Sequence, residues 1–254
     1  MFDPFGDYKT EGYLQNHEKQ MDIVSVKKLE HDCFEANIED AINYLLSKKT
    51  IKYKDFLMVH KILFSDIYPW AGQDRLQTTP SLAISKGNIL FCHPFEIEKY
   101  ISEGLKLGQN KQIMNKRPGE VMGLFAYGHC FLDGNGRTML IVHSVLCQRA
   151  DFSISWNLSN KSDYLNALTH ELDRPNHGLL DSYLLQYKSD KLDFNKLHKK
   201  ITNIKGLDGL DNENKVEGDL NDPEIQKRYQ EYEKQRDYKI TSYSDPSNDS
   251  DLGM

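Results

Sequence analysis

The segment Thr138-Met139-Leu140-Ile141-Val142-His143-Ser144-Val145-Leu146-Cys147-Gln148 constrains the fold more than any other part of this chain. It is apolar almost all round, and a helix without a polar face has to be covered on every side. The spacing predicts a buried central helix. At 254 residues the chain can enclose one such core in a good-sized domain and still carry an appendage. Upstream, Pro118 suits the first turn of a helix, and Val121, Leu124, Phe125 and Gly128 recur at helical spacing. Between the two segments lies the run His129-Cys130-Phe131-Leu132-Asp133-Gly134-Asn135-Gly136-Arg137. Its Gly-Asn-Gly turn therefore falls at a helix N-terminus, where free N–H groups and the dipole favour an anion.

The residue types in this run suit the transfer of part of a nucleoside triphosphate to a hydroxyl. His129 is a side chain able to take a proton near neutral pH. Asp133 can hold Mg²⁺, which binds through one or two carboxylates and keeps phosphate oxygens as further ligands. Gly134 and Gly136 carry no Cβ to hold backbone N–H groups away from a phosphate. Arg137 can give a charge-assisted, bidentate bond to a phosphate oxygen. Such transfers need mainly positioning and charge stabilisation. A hairpin turn is the bland alternative for Asp-Gly and Asn-Gly, but the flanks show helical period rather than alternation. An EF-hand would place its first and last ligands on Phe131 and Val142, which cannot bind calcium through their side chains. His143 and His60 read as structural histidines.

The run resembles the signature of the Fic (filamentation induced by cAMP) domain, His-x-Phe-x-(Asp/Glu)-Gly-Asn-(Gly/Lys)-Arg-x-x-Arg. Tyr68-Pro69-Trp70-Ala71-Gly72 with Arg75 resembles the segment that precedes this motif in the family. Ser85-Lys86-Gly87-Asn88 followed by Phe91 resembles its flap, Gly12-Tyr13-Leu14-Gln15-Asn16 the start of the domain, and Tyr164 with Ala167-Leu168 the helix after the core. The likeness covers roughly the first three quarters of the chain.

The resemblance implies an all-α, Fic-type helical domain with a small β-hairpin flap. It sets the domain at residues 1–200, with the flap at about 81–93 and the active-site loop at 129–137. After about Lys200 the composition changes, and residues 201–254 read as a charged C-terminal extension, partly helical, with an end expected to be disordered. Most members transfer AMP from ATP to a Ser, Thr or Tyr hydroxyl of a target protein. By carry-over His129 is the base, and Asp133 positions Mg²⁺ with ATP as co-substrate. Gly134, Asn135 and Gly136 form the anion hole, and Arg137 holds a phosphate. The flap from Lys86 to Phe91, with Asn88 and Ile89, would pair with an extended target segment by adding a strand. Lys86 reads equally as a nucleotide contact and as a solvated turn lysine.

There are departures from the family pattern. Cys130 stands where many members have Pro. Leu140 stands where most transferases have a second Arg, which removes a charge-assisted contact of about 1.5–3 kcal/mol. The Doc toxins of the same superfamily also lack that Arg and transfer the terminal phosphate, but their glycines differ, whereas Gly134 and Gly136 are intact here. AMP transfer is the favoured expectation. Doc-like kinase activity and an inactive Fic-fold module that binds a nucleotide or partner are the alternatives. No segment fits the Ser/Thr-x-x-x-Glu-Gly/Asn pattern of the family's inhibitory helix. The expectation is therefore control by a separate protein, by expression or by another contact, leaning towards a bacterial toxin with a partner antitoxin.

The remaining features set bounds. The net charge of −6 argues against general nucleic-acid binding by charge; the local basic group Lys196, Lys199 and Lys200 reads better as a solvated helix face. Four cysteines, with no Cys-x-x-Cys pair, point to reduced thiols in a cytosolic compartment, Cys147 being a core filler. The chain shows no leader, no apolar run of membrane-spanning length and no lipidation pattern. It is expected in the cytoplasm, with delivery into a host cell left open. Further helices are predicted over 24–46 (one or two), 53–64, 94–107 and 161–171. A charged helix at 223–238 is expected to pack little or nothing. Its Tyr229, Tyr232 and Tyr238, with Tyr243 beyond, are self-modification sites or partner contacts in one reading and a solvated extension in the better one.

Overall fold

The structure is a computed structural model and describes residues 15–207, 214–238 and 240. The expected domain start at residues 12–14, the loop at 208–211, Tyr243 and the tail 241–254 lie outside the described residues.

The predicted central helix is α7, Asn135–Arg149. Thr138, Ile141, Val142, His143, Val145 and Leu146 are fully buried on it, because its neighbours surround it: α1 (Ile23–Leu46), α2 (Tyr53–Phe64), α4 (Ile97–Gln109), α5 (Lys111–Lys116) and α6 (Pro118–Gly128). The segment 24–46 is one helix. Its N-terminus is capped by the Asp22 carboxylate, which accepts the Ser25 N–H at 2.8 Å. Val26, Phe34, Ile38, Ile42 and Leu45 form its buried face. α2 matches the predicted bounds, with Phe56, Val59, His60 and Leu63 buried. α6 begins at Pro118, and the Asp181 carboxylate accepts its Gly119 and Glu120 N–H groups at 2.6 and 3.1 Å. The capping Asp181 comes from α9 (Leu179–Gln186).

Around this bundle lie α3 (Arg75–Thr78), α8 (Lys161–Asp173) and α10 (Phe194–Thr202). On α10, Leu197 and Ile201 are buried while Lys196, Lys199 and Lys200 are exposed, the arrangement of a solvated basic face. The flap is a hairpin of β1 (Leu82–Lys86) and β2 (Ile89–Leu90), with Lys86 opposite Ile89. Its two-residue turn starts with Gly87 at φ +58°, the glycine-first geometry of a type II′ turn. β3 (Phe152–Ile154) and β4 (Lys188–Asp190) form a separate antiparallel pair.

The C-terminal part departs from expectation. The flap is not a lone hairpin: β5 (Asn214–Asp219) pairs antiparallel with the other edge of β1, giving the order β2-β1-β5. The charged helix forms as α11 (Pro223–Arg236), but it packs. Ile225 and Leu220 bury Ala83 of the flap, the Tyr229 hydroxyl donates to the Phe91 carbonyl at 3.0 Å, and the Arg236 guanidinium lies 3.3 Å from the centre of the Tyr127 ring. Charge density along the sequence suggested solvation; partnered burial of Arg236 and Glu233 against Tyr127 is the physical reason it is wrong.

Candidate active site

Arg75 fixes the chain between α6 and α7. It is fully buried, and its Nε donates to the His129 carbonyl at 2.6 Å. Its Nη2 donates to the carbonyls of Cys92 at 2.9 Å and Gly128 at 3.4 Å. Three carbonyls on one guanidinium hold the end of α6 against the start of the loop. His129 there takes the left-handed conformation, φ 37°. The Asn135 side chain closes the loop from the other end, donating to the Phe131 carbonyl at 2.7 Å and accepting the Phe131 N–H at 2.8 Å. Phe131 stacks on His60, ring centres 3.8 Å apart.

His60 is structural, as its place on the apolar face of α2 suggested. Its Nδ1 accepts the Gly72 N–H at 2.9 Å, which leaves Nε2 protonated and donating to the Asp133 carbonyl at 3.0 Å. Burial drives its pKa down to about 3, so it stays neutral. Gly134 follows at φ +74°, and a Cβ there would lie 2.6 Å from the Phe64 ring; no other residue fits this close approach.

The Asp133 carboxylate accepts the Gly134 N–H at 2.6 Å and pairs with Lys27. Burial alone would raise its pKa, but the positive charges of Lys27 and Arg137 outweigh this and hold it down at about 2. Behind it is Glu30, fully buried, which binds Lys27 at 2.8 Å, the Tyr68 hydroxyl at 3.0 Å and the Arg137 guanidinium. Arg137 also lies 4.9 Å from the centre of the Phe64 ring. Lys27 and Glu30 thus join Asp133 and Arg137 in one buried network. Sequence reading missed both, because they are more than a hundred positions away along the chain and stand on an ordinary amphipathic face.

These groups open onto a cavity of about 300 Å³. His129, Asp133, Gly134, Asn135, Gly136 and Arg137 line one wall, and Lys86, Ile89 and Phe91 of the flap line another. Asn88 is at the hairpin tip, outside the cavity lining. The Phe91 ring stacks on His129 at 3.7 Å. Leu165, Leu168, Thr169 and Leu172 of α8, with Met139, supply an apolar side, and Lys161 adds a cation. Leu140 is buried in the core and takes no part in the wall. Burial, followed by the positive fields of Arg75 and Lys86, pushes the His129 pKa well below its ordinary value. The imidazole is neutral at neutral pH. Asn214 of β5, not foreseen from the sequence, reaches the same ring: its amide nitrogen is 3.0 Å from His129 Nε2. No helix of the described residues is long and apolar enough to cross a membrane.

The chain is similar to known proteins in sequence and in fold. Residues 50–147 match the Fic/DOC family. The chain is 32% identical over 117 residues to protein adenylyltransferase VbhT of Bartonella schoenbuchensis, a match spanning 43% of this chain and 23% of VbhT. It is 24% identical over 164 residues to the Probable protein adenylyltransferase y4lH of Sinorhizobium fredii, covering 61% of this chain and 81% of that one. The fold is shared with the crystal structure of the N-terminal Fic domain of a VirB-translocated Bep effector protein from Bartonella quintana, which carries bound ADP. That match has a TM-score of 0.60 at 20% identity and covers 76% of this chain and 99% of that one. Residues 50–147, which hold the motif and much of the helical bundle around α7, thus match the Fic/DOC family, and the chain shares the fold of a Fic domain.

Proposed function

We propose that this protein transfers AMP from ATP to a hydroxyl of another protein. The observation that carries the reading is the convergence, on one cavity, of a neutral histidine, an ionised aspartate and the N-terminus of α7. Relatives named as adenylyltransferases support it.

His129 Nε2 accepts the proton of the target hydroxyl as that oxygen attacks the α-phosphorus. The new O–P bond forms while the bond from the α-phosphorus to the bridging oxygen breaks, and pyrophosphate leaves with the electron pair. The N–H groups at the start of α7 stabilise the charge on the phosphates. The Nη1 of Arg137 is buried and has no hydrogen-bond partner among the described residues, which suits it to a phosphate oxygen. The apolar surface of α8 suits a nucleobase.

Asp133 fits a Mg²⁺ ion. It is ionised and faces the cavity, and no group of three or more metal-ligating side chains occurs among the described residues. An ion held here would take its other ligands from phosphate and water, as Mg²⁺ does. The ion would neutralise phosphate charge. For Asp133 to bind it, Lys27 has to yield that carboxylate or share it.

Terminal-phosphate transfer is the second reading, because Leu140 stands where most transferases of this type carry a second Arg. ATP labelled at the α or the γ position, given with Mg²⁺ and a cell lysate, separates the two. His129→Ala should lower either transfer by about 10²–10⁴-fold.

A further inference from the structure

The flap edge beside the cavity is already taken by the chain itself. β5 pairs with β1 over Leu82↔Asp219, Ala83↔Gly218, Ile84↔Val216, Ser85↔Lys215 and Lys86↔Asn214. A strand edge beside a reactive cavity is a template for an extended segment, and β5 satisfies it. At the end of this ladder, opposite Lys86, the Asn214 amide nitrogen donates to His129 Nε2 at 3.0 Å. That is the lone pair the proposed reaction needs. A hydroxyl donor would have to occupy the position of this amide, and an amide nitrogen, with its lone pair delocalised, is a poor nucleophile.

The segment is tied down beyond the strand. The Glu217 carboxylate accepts the Ser85 hydroxyl and pairs with Arg228 at 2.7 Å. Tyr229 bonds the Phe91 carbonyl, and the Arg236 Nε donates to the Leu172 carbonyl at 2.8 Å. These contacts bridge β5, α11, the flap and α8. They hold Asn214 where it is without filling the nucleotide side of the cavity.

We propose that residues 214–236 are an intramolecular pseudo-target: β5 occupies the target-docking edge of β1, Asn214 stands in the acceptor position on His129, and the segment must leave before another protein is modified. The inference rests on the proposed transfer reaction for its consequence, and on the strand and the Asn214 contact for its geometry. It also specifies the target: an extended segment whose acceptor hydroxyl lies in register with Lys86.

The test uses the full chain as wild type, Asn214→Ser, Asn214→Ala, Val216→Pro, and Asn214→Ser combined with His129→Ala. Each is incubated with ATP and Mg²⁺ and mapped by mass spectrometry. The proposal expects an adenylate at position 214 in Asn214→Ser and none there in the double variant. It expects Val216→Pro, which weakens the ladder, to label lysate proteins at least about tenfold faster than wild type, as release of an occluding strand converts to a gain in open population. Position 214 remaining unmodified while other sites are labelled, with Val216→Pro no faster than wild type, would overturn it.

Carbethoxylation of His129 by diethyl pyrocarbonate reads the occlusion without any transfer reaction. Asn214→Ala and Val216→Pro should react several-fold faster than wild type. Equal rates in all three overturn the proposal whether or not transfer occurs. Faster carbethoxylation with no nucleotide transfer in any variant retains the occluding strand and rejects the transferase reading instead.

Discussion

At the residue scale the two motif glycines make separable predictions. Gly134 sits at φ +74° against Phe64, so Gly134→Ala should destabilise the protein by about 1–3 kcal/mol, seen as a lowered Tm. A Cβ on Gly136 would meet nothing within 4 Å. Gly136→Ala should therefore leave the Tm unchanged while weakening nucleotide binding in calorimetry, because the added methyl group lies on the cavity wall. Glu30→Ala would strand Lys27 and Arg137 without their shared carboxylate. A loss of about 3–5 kcal/mol is expected in denaturant unfolding. The loop from His129 to Arg137 was legible because its chemistry is contiguous in sequence. Lys27 and Glu30 were not legible: nothing in an amphipathic stripe marks a charge as pointing inward. Asn214 was not legible because a polar residue in a charged tail acquires meaning only once β5 is paired.

At the scale of elements, α1, α2, α4, α6 and α7 form where the sequence predicts helices, and each buries apolar residues along one face or more; α8 also forms where predicted but buries only Leu168 and Leu172 among its apolar residues. The hydrophobic period failed for β5 and α11. Their contacts are few apolar residues (Ile225, Leu220) joined to buried polar pairs, and these look like solvated charge in a sequence. Arg236→Ala removes the ring contact to Tyr127 and the hydrogen bond to Leu172. It should cost about 1–3 kcal/mol and raise hydrogen exchange in Asn214–Asp219. Unchanged exchange there would show that α11 does not secure the strand.

At the scale of the whole molecule, buried neutral histidines predict acid sensitivity. The pKa of His60 is lowered by burial to about 3 and that of His143 to about 4, from an ordinary value of 6.5. Between these values and 6.5 the unfolded chain binds protons that the folded chain does not, so stability rises with pH there. Stability held above pH 6.5 should fall progressively as pH drops towards 4, measured as a declining Tm. His143→Gln, which keeps a donor for the Pro118 carbonyl, should flatten the upper part of that decline. A Tm independent of pH across this window would mean the histidines are solvated. The bundle was legible as a whole because α7 could be nothing but central. The docking of the C-terminal segment on the flap and on His129 depends on pairings too distant along the chain for any local pattern to carry.

The measurement that bears most directly on the proposed chemistry follows the label from ATP carrying ³²P at the α or the γ position, with Mg²⁺ and lysate, for wild type, Val216→Pro and His129→Ala. AMP transfer predicts that protein is labelled from the α position alone, most strongly with Val216→Pro and at background with His129→Ala. Label arriving from the γ position alone, or α label that persists in His129→Ala, would contradict it.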